Sequence, residues 1–322
     1  MVVRPQWETD VLGAHFESVT LPLRPDTDGP IDATLVRYSP PPTLHLGRGV
    51  AHGANVLYVH GWSDYFFQRH VAEFWHNAGA RFFALDLRRY GRSLRPGQTP
   101  GYVSDLASYD EDIEAAIAVI GDDRPLILVG HSTGGLTLAL WTARNPKRVA
   151  ALVLNSPWLE FQARQFVREA IAPALAWEAR FQPLSTLPAV DFGFYTRSVS
   201  SRFDGEWDYD FGWRPERGFP VHPGWLSAVL AGHARVALGL HIDAPVLTLL
   251  SARSTLAPRW NPAMLHTDTA LDVDVVAQRA LMLGPTVTVV RLEDALHDVT
   301  LSKPSVRAEA GRQTVRWLRG YL

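Results

Sequence analysis

Apolar and polar positions alternate with period two over residues 16–23 and again over 32–38, which predicts two strands. The turn-forming run Pro25-Asp26-Thr27-Asp28-Gly29-Pro30 joins them, so the pair reads as an antiparallel hairpin. After a loop from Pro40 to Gly53 the pattern changes. Asn55-Val56-Leu57-Tyr58-Val59 is almost wholly apolar and reads as a buried strand, as does Arg81-Phe82-Phe83-Ala84-Leu85. Between them a helix is predicted from Asp64 to Ala78, with Asp64 as its N-cap. Helical spacing returns over 104–120, where Leu106, Ile113, Ala116 and Ile120 recur. Strands are predicted at 125–129, 151–155, 245–250 and 286–292, and helices at 134–145, 273–283 and 304–321. Strands separated by helices imply parallel pairing through right-handed crossovers, an α/β architecture.

One stretch breaks the rhythm. Residues 157–240 show no clean strand–helix alternation and are dense in aromatics, from Trp158 and Phe166 through Trp177, Tyr195 and Trp207 to Trp225. The stretch reads as an insertion over the carboxyl ends of the strands, where open α/β sheets place ligands. Any single ring is expected in the insertion's own core. As a group the rings suit the lining of an apolar pocket.

The chemistry centres on Gly130-His131-Ser132-Thr133-Gly134. This G-x-S-x-G run lies between the predicted strand ending at Val129 and a predicted helix. In that context the glycines permit a sharp turn and Ser132 stands out from it, a candidate nucleophile for acyl transfer.

Composition narrows the alternatives. The chain has 322 residues, 47% hydrophobic and 20% charged, with a net charge of −2. It lacks the basic field of a nucleic-acid binder. It has no cysteine, which excludes disulfides, thiolate metal sites and cysteine nucleophiles. No H-E-x-x-H, Walker loop or G-x-G-x-x-G after the first strand is present, so neither a metal nor another cofactor is expected. No segment approaches the roughly 18 apolar residues of a spanning helix, and no secretory signal is evident. A cytoplasmic protein with no transmembrane segment, able to touch lipid transiently, is the expectation. The oligomeric state is left open.

Four pieces in this order resemble the α/β-hydrolase superfamily, in its monoacylglycerol lipase/lysophospholipase-like branch labelled serine aminopeptidase S33. They are Val59-His60-Gly61-Trp62, Leu85-Asp86-Leu87-Arg88-Arg89-Tyr90-Gly91-Arg92-Ser93, Gly130-His131-Ser132-Thr133-Gly134-Gly135 and Ala295-Leu296-His297-Asp298. The resemblance covers residues 54–320. It implies an eight-stranded, mostly parallel sheet flanked by helices, with a cap inserted after the sixth strand. The core would be 1–156 and 241–322, and the cap 157–240.

A serine hydroxyl needs a base, the base needs an orienting carboxylate, and the oxyanion needs two N–H donors. The family's order is serine, acid, histidine. Of twelve histidines, only His297 follows the last predicted strand in a short loop. His131 reads as a packed neighbour of the serine. The family's acid closes a Gly-x-x-Asp turn, but here that turn is Ser251-Ala252-Arg253-Ser254. Asp268 is the first candidate for the displaced acid. Asp272 is the alternative, with a rival reading as the N-cap of the helix at 273–283. Asp298 reads as a solvated or hydrogen-bonded loop residue. The resemblance assigns the oxyanion donors to the N–H groups of Trp62 and Thr133.

The expected activity is hydrolysis of apolar carboxylic esters through an acyl-enzyme. An amidase or aminopeptidase is an alternative if Glu206, Asp208 and Asp210 offer an anionic patch to an amine. Lactone or C–C bond hydrolysis could use the same residues, whereas dehalogenase chemistry would need Asp at position 132. A ligand-binding protein on a hydrolase fold is the non-enzyme alternative, to which the missing carboxylate at 254 lends weight.

Overall fold

The computed structural model describes residues 6–41, 49–161, 175, 177–188 and 191–322. Its centre is one nine-stranded sheet. The strands are β1 (Glu8–Thr9), β2 (Phe16–Asp26), β3 (Gly29–Tyr38), β4 (Asn55–Val59), β5 (Arg81–Asp86), β6 (Leu126–His131), β7 (Ala151–Asn155), β8 (Val246–Ser251) and β9 (Val287–Leu292). Their order is β1-β2-β3-β5-β4-β6-β7-β8-β9. β1 to β3 and the β3–β5 edge are antiparallel, and the rest are parallel. The ninth strand, beyond the eight expected, is the two-residue β1 on the outer edge. β4, β7 and β8 are buried at every position, as expected of parallel strands covered on both faces.

Helices that accompany the sheet include α1 (Arg69–Asn77), α2 (Tyr109–Ile120), α3 (Thr133–Arg144), α4 (Phe194–Val199), α5 (Pro223–Ala237), α6 (Val273–Ala280) and α7 (Pro304–Leu318). The pleat of β4 divides them. Leu57 and Val59 point into a core shared with Ile113 of α2, Leu136 of α3 and Val276 of α6. Val56 and Tyr58 point into the opposite core, with Val71 and Trp75 of α1 and Val306 and Trp317 of α7.

The helix expected from Asp64 begins only at Arg69, so Asp64 is not its cap. The preceding Tyr65, Phe66 and Phe67 are buried in an irregular segment, where the Phe66 N–H donates to Asp86 Oδ1 at 2.9 Å. Tertiary burial outweighs helical spacing there. The helix expected over 104–120 is a short 3-10 turn, Leu106–Ser108, followed by α2.

The strand order changes direction at β4. The chain crosses from β4 to β5 on one side, then returns to β6 on the other. The loops leaving β4 and β6 therefore diverge above a shared crevice, where such sheets bind ligands. Between β7 and β8 the described residues add no strand to this sheet. They carry α4 and α5, and α5 places Trp225 and Val229 in the same core as Leu136 and Leu140 of α3.

Candidate active site

β6 ends at His131, and α3 starts at Thr133. Ser132 between them has φ 51° and ψ −116°, a conformation that L-residues rarely adopt. Hydrogen bonds on both sides hold it. Its N–H donates to the Asn155 carbonyl at 3.0 Å, and its carbonyl accepts from Leu136 N at 3.2 Å and Trp158 N at 3.0 Å. Three glycines let the strand, turn and helix close up. A Cβ at Gly130 would lie 2.7 Å from Gly135 Cα, one at Gly134 would collide with the carbonyls of Val59 and His60, and one at Gly135 would stand 2.8 Å from Pro157 Cβ.

His297 follows β9 and reaches back over this turn. Its Nδ1–H donates to Asp268 Oδ2 at 2.9 Å, and its Nε2 lies 3.1 Å from Ser132 Oγ. A carboxylate on Nδ1 fixes the tautomer that leaves Nε2 as acceptor for the hydroxyl. All three side chains are buried. Asp268 is itself fixed, because Oδ1 accepts the N–H groups of Ala270 at 2.7 Å and Leu271 at 2.8 Å.

Asp268 arrives from an unusual place in sequence. After β8 the chain leaves at Ser254, runs out through residues 255–267 and returns beside its point of departure. Ser254 and Asp268 form an isolated parallel bridge, with Asp268 N to Arg253 O at 3.0 Å and Thr255 N to Asp268 O at 2.8 Å. Ser254 ties the returning strand down, its Oγ donating to Leu271 O at 2.7 Å and accepting from Val273 N at 2.9 Å. Asp272 does not reach His297. It caps α6, accepting from Asp274 N at 3.1 Å and Val275 N at 3.2 Å.

The loop after β4 faces the same turn. A Cβ on Gly61 would lie 3.0 Å from Ser132 Cβ and 3.1 Å from His131 Cδ2, tighter than most Cβ contacts, so the loop stands close against this turn. His60 anchors it. Nε2 accepts the Leu87 N–H at 3.1 Å, which leaves Nδ1 to donate to Gly61 O at 2.8 Å. Trp62 follows, its ring packed on Trp225 with centroids 3.5 Å apart. The N–H of Thr133, at the first position of α3, has no acceptor within the helix.

Asp298 is buried rather than solvated. Oδ1 accepts from Asn155 Nδ2 at 2.6 Å, Thr300 N at 2.8 Å and Thr300 Oγ1 at 2.6 Å, and Oδ2 accepts from Gln68 Nε2 at 3.2 Å. Burial pushes its carboxyl up, but His131, Thr300 and Asn155 outweigh that and hold it below the ordinary range. His131 donates to the Asn155 carbonyl at 3.1 Å, with burial pushing its imidazole below the ordinary value. Neither residue bonds to Ser132 Oγ.

The aromatic residues between β7 and β8 divide three ways. Tyr209, Phe219 and Trp225 are buried. Trp158 and Tyr195 border Ser132 and His297: the Trp158 backbone N–H donates to the Ser132 carbonyl, and Tyr195 stands edge-on to His297 with ring centroids 5.2 Å apart. Trp177, Phe181 and Phe192 are 59%, 60% and 57% exposed, so the expectation that they form the insertion's core does not hold. Phe166 lies outside the described residues.

Sequence reading missed a buried ion pair beside this site. Arg214 lies over the rings of Tyr195 and Tyr209, 5.0 and 4.6 Å from their centroids, and its Nε is 3.4 Å from Asp64 Oδ1. Burial opposes the charge of Arg214, but Asp64 outweighs it and raises the guanidinium above its ordinary value. No local signal links positions so far apart. Glu206, Asp208 and Asp210 are exposed.

A family model described as "Serine aminopeptidase, S33" of the Hydrolase_4 family matches residues 51–206. The chain has the α/β-hydrolase fold. It is similar to a monoacylglycerol lipase of Mycolicibacterium smegmatis, 33% identical over 106 residues, covering 32% of this chain and 37% of the relative. It is also similar to a rat protein named 1-acylglycerol-3-phosphate O-acyltransferase ABHD5, 27% identical over 201 residues, covering 54% of this chain and 56% of the relative. The chain thus spans about half, or less, of the length of these curated relatives. Among solved structures it resembles monoacylglycerol lipase of Paleococcus ferrophilus, with a TM-score of 0.62 at 19% identity over 85% of this chain and 97% of that one. These similarities are to monoacylglycerol lipase-like proteins. Among the described residues no helix is long and apolar enough to cross a membrane.

Proposed function

We propose that this α/β-hydrolase cleaves apolar carboxylic esters by acyl transfer to Ser132. The observation that carries the reading is the line of hydrogen bonds from Asp268 through His297 to Ser132. In the proposed mechanism, Ser132 Oγ attacks the ester carbonyl while His297 Nε2 takes the hydroxyl proton. Asp268 holds the imidazole and stabilises the imidazolium. The N–H groups of Thr133 and Trp62 receive the oxyanion, each contributing about 3 kcal/mol in the transition state. The proton passes from His297 to the departing alkoxide, leaving an ester on Ser132. Water, activated by the same histidine, then releases the acid.

The segment 157–240 acts as a cap whose inner rings line the acyl path. Trp62, Trp158 and Trp225 form a contiguous aromatic wall beside the nucleophile turn, which suits an apolar acyl chain. Monoacylglycerols and aryl esters of short to medium acyl chains are the substrate classes of choice, in keeping with the named activity of the mycobacterial relative. Aminopeptidase activity is less favoured, because the acidic residues that would hold an amine face solvent.

The test is turnover of p-nitrophenyl esters from acetate to palmitate and of 1-monoacylglycerols, beside Leu-p-nitroanilide. Ester turnover without anilide turnover supports the proposal. Anilide turnover with inert esters overturns it.

A further inference from the structure

Ser132 and His297 lie on different loops, 165 residues apart. Their contact depends on how those loops are held relative to one another, and an error of about 1 Å can cost on the order of 100-fold in rate. Asn155, the last residue of β7, touches both loops. Its carbonyl accepts the Ser132 N–H at 3.0 Å and His131 Nδ1–H at 3.1 Å. Its side-chain amide engages the two residues directly after His297. Nδ2 donates to Asp298 Oδ1 at 2.6 Å, and Oδ1 accepts the Val299 N–H at 3.1 Å.

We infer that Asn155 is a positioning residue that holds the Ser132 turn and the His297 loop in register. The inference rests on the hydrolase reading above. Asn155 is buried, and both ends of its amide are used. Its partner Asp298 is fixed separately by Thr300 and Gln68, so the amide grips a rigid anchor. An anionic acceptor also makes the 2.6 Å contact a strong one. Asn155 touches no reacting atom and acts through the placement of Ser132 and His297.

The test compares Asn155→Ala with Thr300→Val in the full chain. The second variant removes a hydroxyl from the same Asp298 oxygen but leaves the Asn155 contacts in place. Thermal midpoints are measured together with kcat and KM on p-nitrophenyl butyrate, normalised to sites titrated with a fluorophosphonate, and with the rate constant for that labelling. Asn155→Ala is expected to lower kcat and the labelling rate in parallel by about tenfold or more, with KM within about twofold. Thr300→Val is expected to lower the midpoint while keeping kcat within about threefold. If Asn155→Ala lowers only the midpoint, or if Thr300→Val loses as much kcat, the inference is overturned.

Should Asn155→Ala not fold, Asn155→Asp keeps the size and the acceptor for Val299. It turns the donor into a second carboxylate oxygen against Asp298. Its defect relative to the parent should shrink as pH falls, when a shared proton restores the contact. A pH-independent ratio overturns the inference. Failure of the parent chain to label or turn over would instead count against the hydrolase reading.

Discussion

Ser254 and Asp268 lie side by side as a single parallel bridge, although thirteen residues, 255–267, separate them in the chain. The serine fastens the turn with its hydroxyl, and the aspartate sends its carboxylate to His297 Nδ1 at 2.9 Å. The carboxylate absent from position 254 is thus supplied by the returning strand. Asp268→Asn should lower kcat by about 10⁴-fold, because an amide favours the wrong imidazole tautomer. Asp272→Ala should leave kcat near the parent's and cost about 1 kcal/mol of stability as a lost helix cap. Steady-state kinetics and urea titration of both variants check this. Asp272→Ala proving the more damaging in kcat would refute the assignment.

Much of this was legible in the sequence because it is local. The strands β4 and β7 match their expected bounds, since a short apolar run between turns has few other ways to bury itself. Ser132 and His297 were legible because glycine spacing and position after the last strand are properties of the linear order. Asp268 could be ranked ahead of Asp272 but not decided, since only the path of the intervening loop determines which one reaches His297. Asp64 carried the wrong expectation. A polar residue before a run of helical spacing is a good cap in isolation, yet here it lies buried opposite Arg214. The links from Asn155 to Asp298 and from Asp64 to Arg214 join distant segments and leave no local trace.

The Asp64–Arg214 pair allows a double-mutant test. Arg214→Met leaves a buried carboxylate without its counter-charge and should destabilise the chain by about 3–5 kcal/mol. Asp64→Asn in the same background should recover much of that loss. A double variant no more stable than Arg214→Met alone would mean that the two side chains are not coupled.

Packing at the nucleophile turn gives a simpler expectation. A methyl group at Gly134 would press on the carbonyl oxygens of Val59 and His60, which are backbone atoms and cannot rotate away. Gly134→Ala should cost at least about 1–3 kcal/mol and reduce the yield of folded protein. An unchanged urea midpoint would contradict the close approach of α3 to the end of β4.

Stability should fall toward acid. Burial depresses the imidazoles of His131 and His70 in the folded chain. Below about 6.5 the unfolded chain therefore binds more protons than the folded one, and stability present above that pH is lost as pH drops through the folded values. Asp298 and Asp10 act in the same sense at lower pH. Burial raises both carboxyls, but hydrogen bonds and the charges of His131 and Arg92 outweigh it and leave them depressed. Their contribution is present above the ordinary carboxylate range near 4 and lost as pH falls below it. Between about pH 6 and 4 the carboxyl of Asp112, which burial pushes up to about 6, acts in the opposite sense to the histidines, so the clear decline in urea midpoint is expected below pH 4. A midpoint that rises on acidification below pH 4 would contradict this.

The central claim is that Ser132 is a nucleophile activated by His297. Its most direct measurement is labelling by a fluorophosphonate at neutral pH, with the modified residue located by peptide mass spectrometry. The account predicts one stoichiometric adduct on Ser132, no adduct in a folded Ser132→Ala variant, and labelling slowed by several orders of magnitude in His297→Ala. An unlabelled parent chain, or an equal rate without His297, would contradict it.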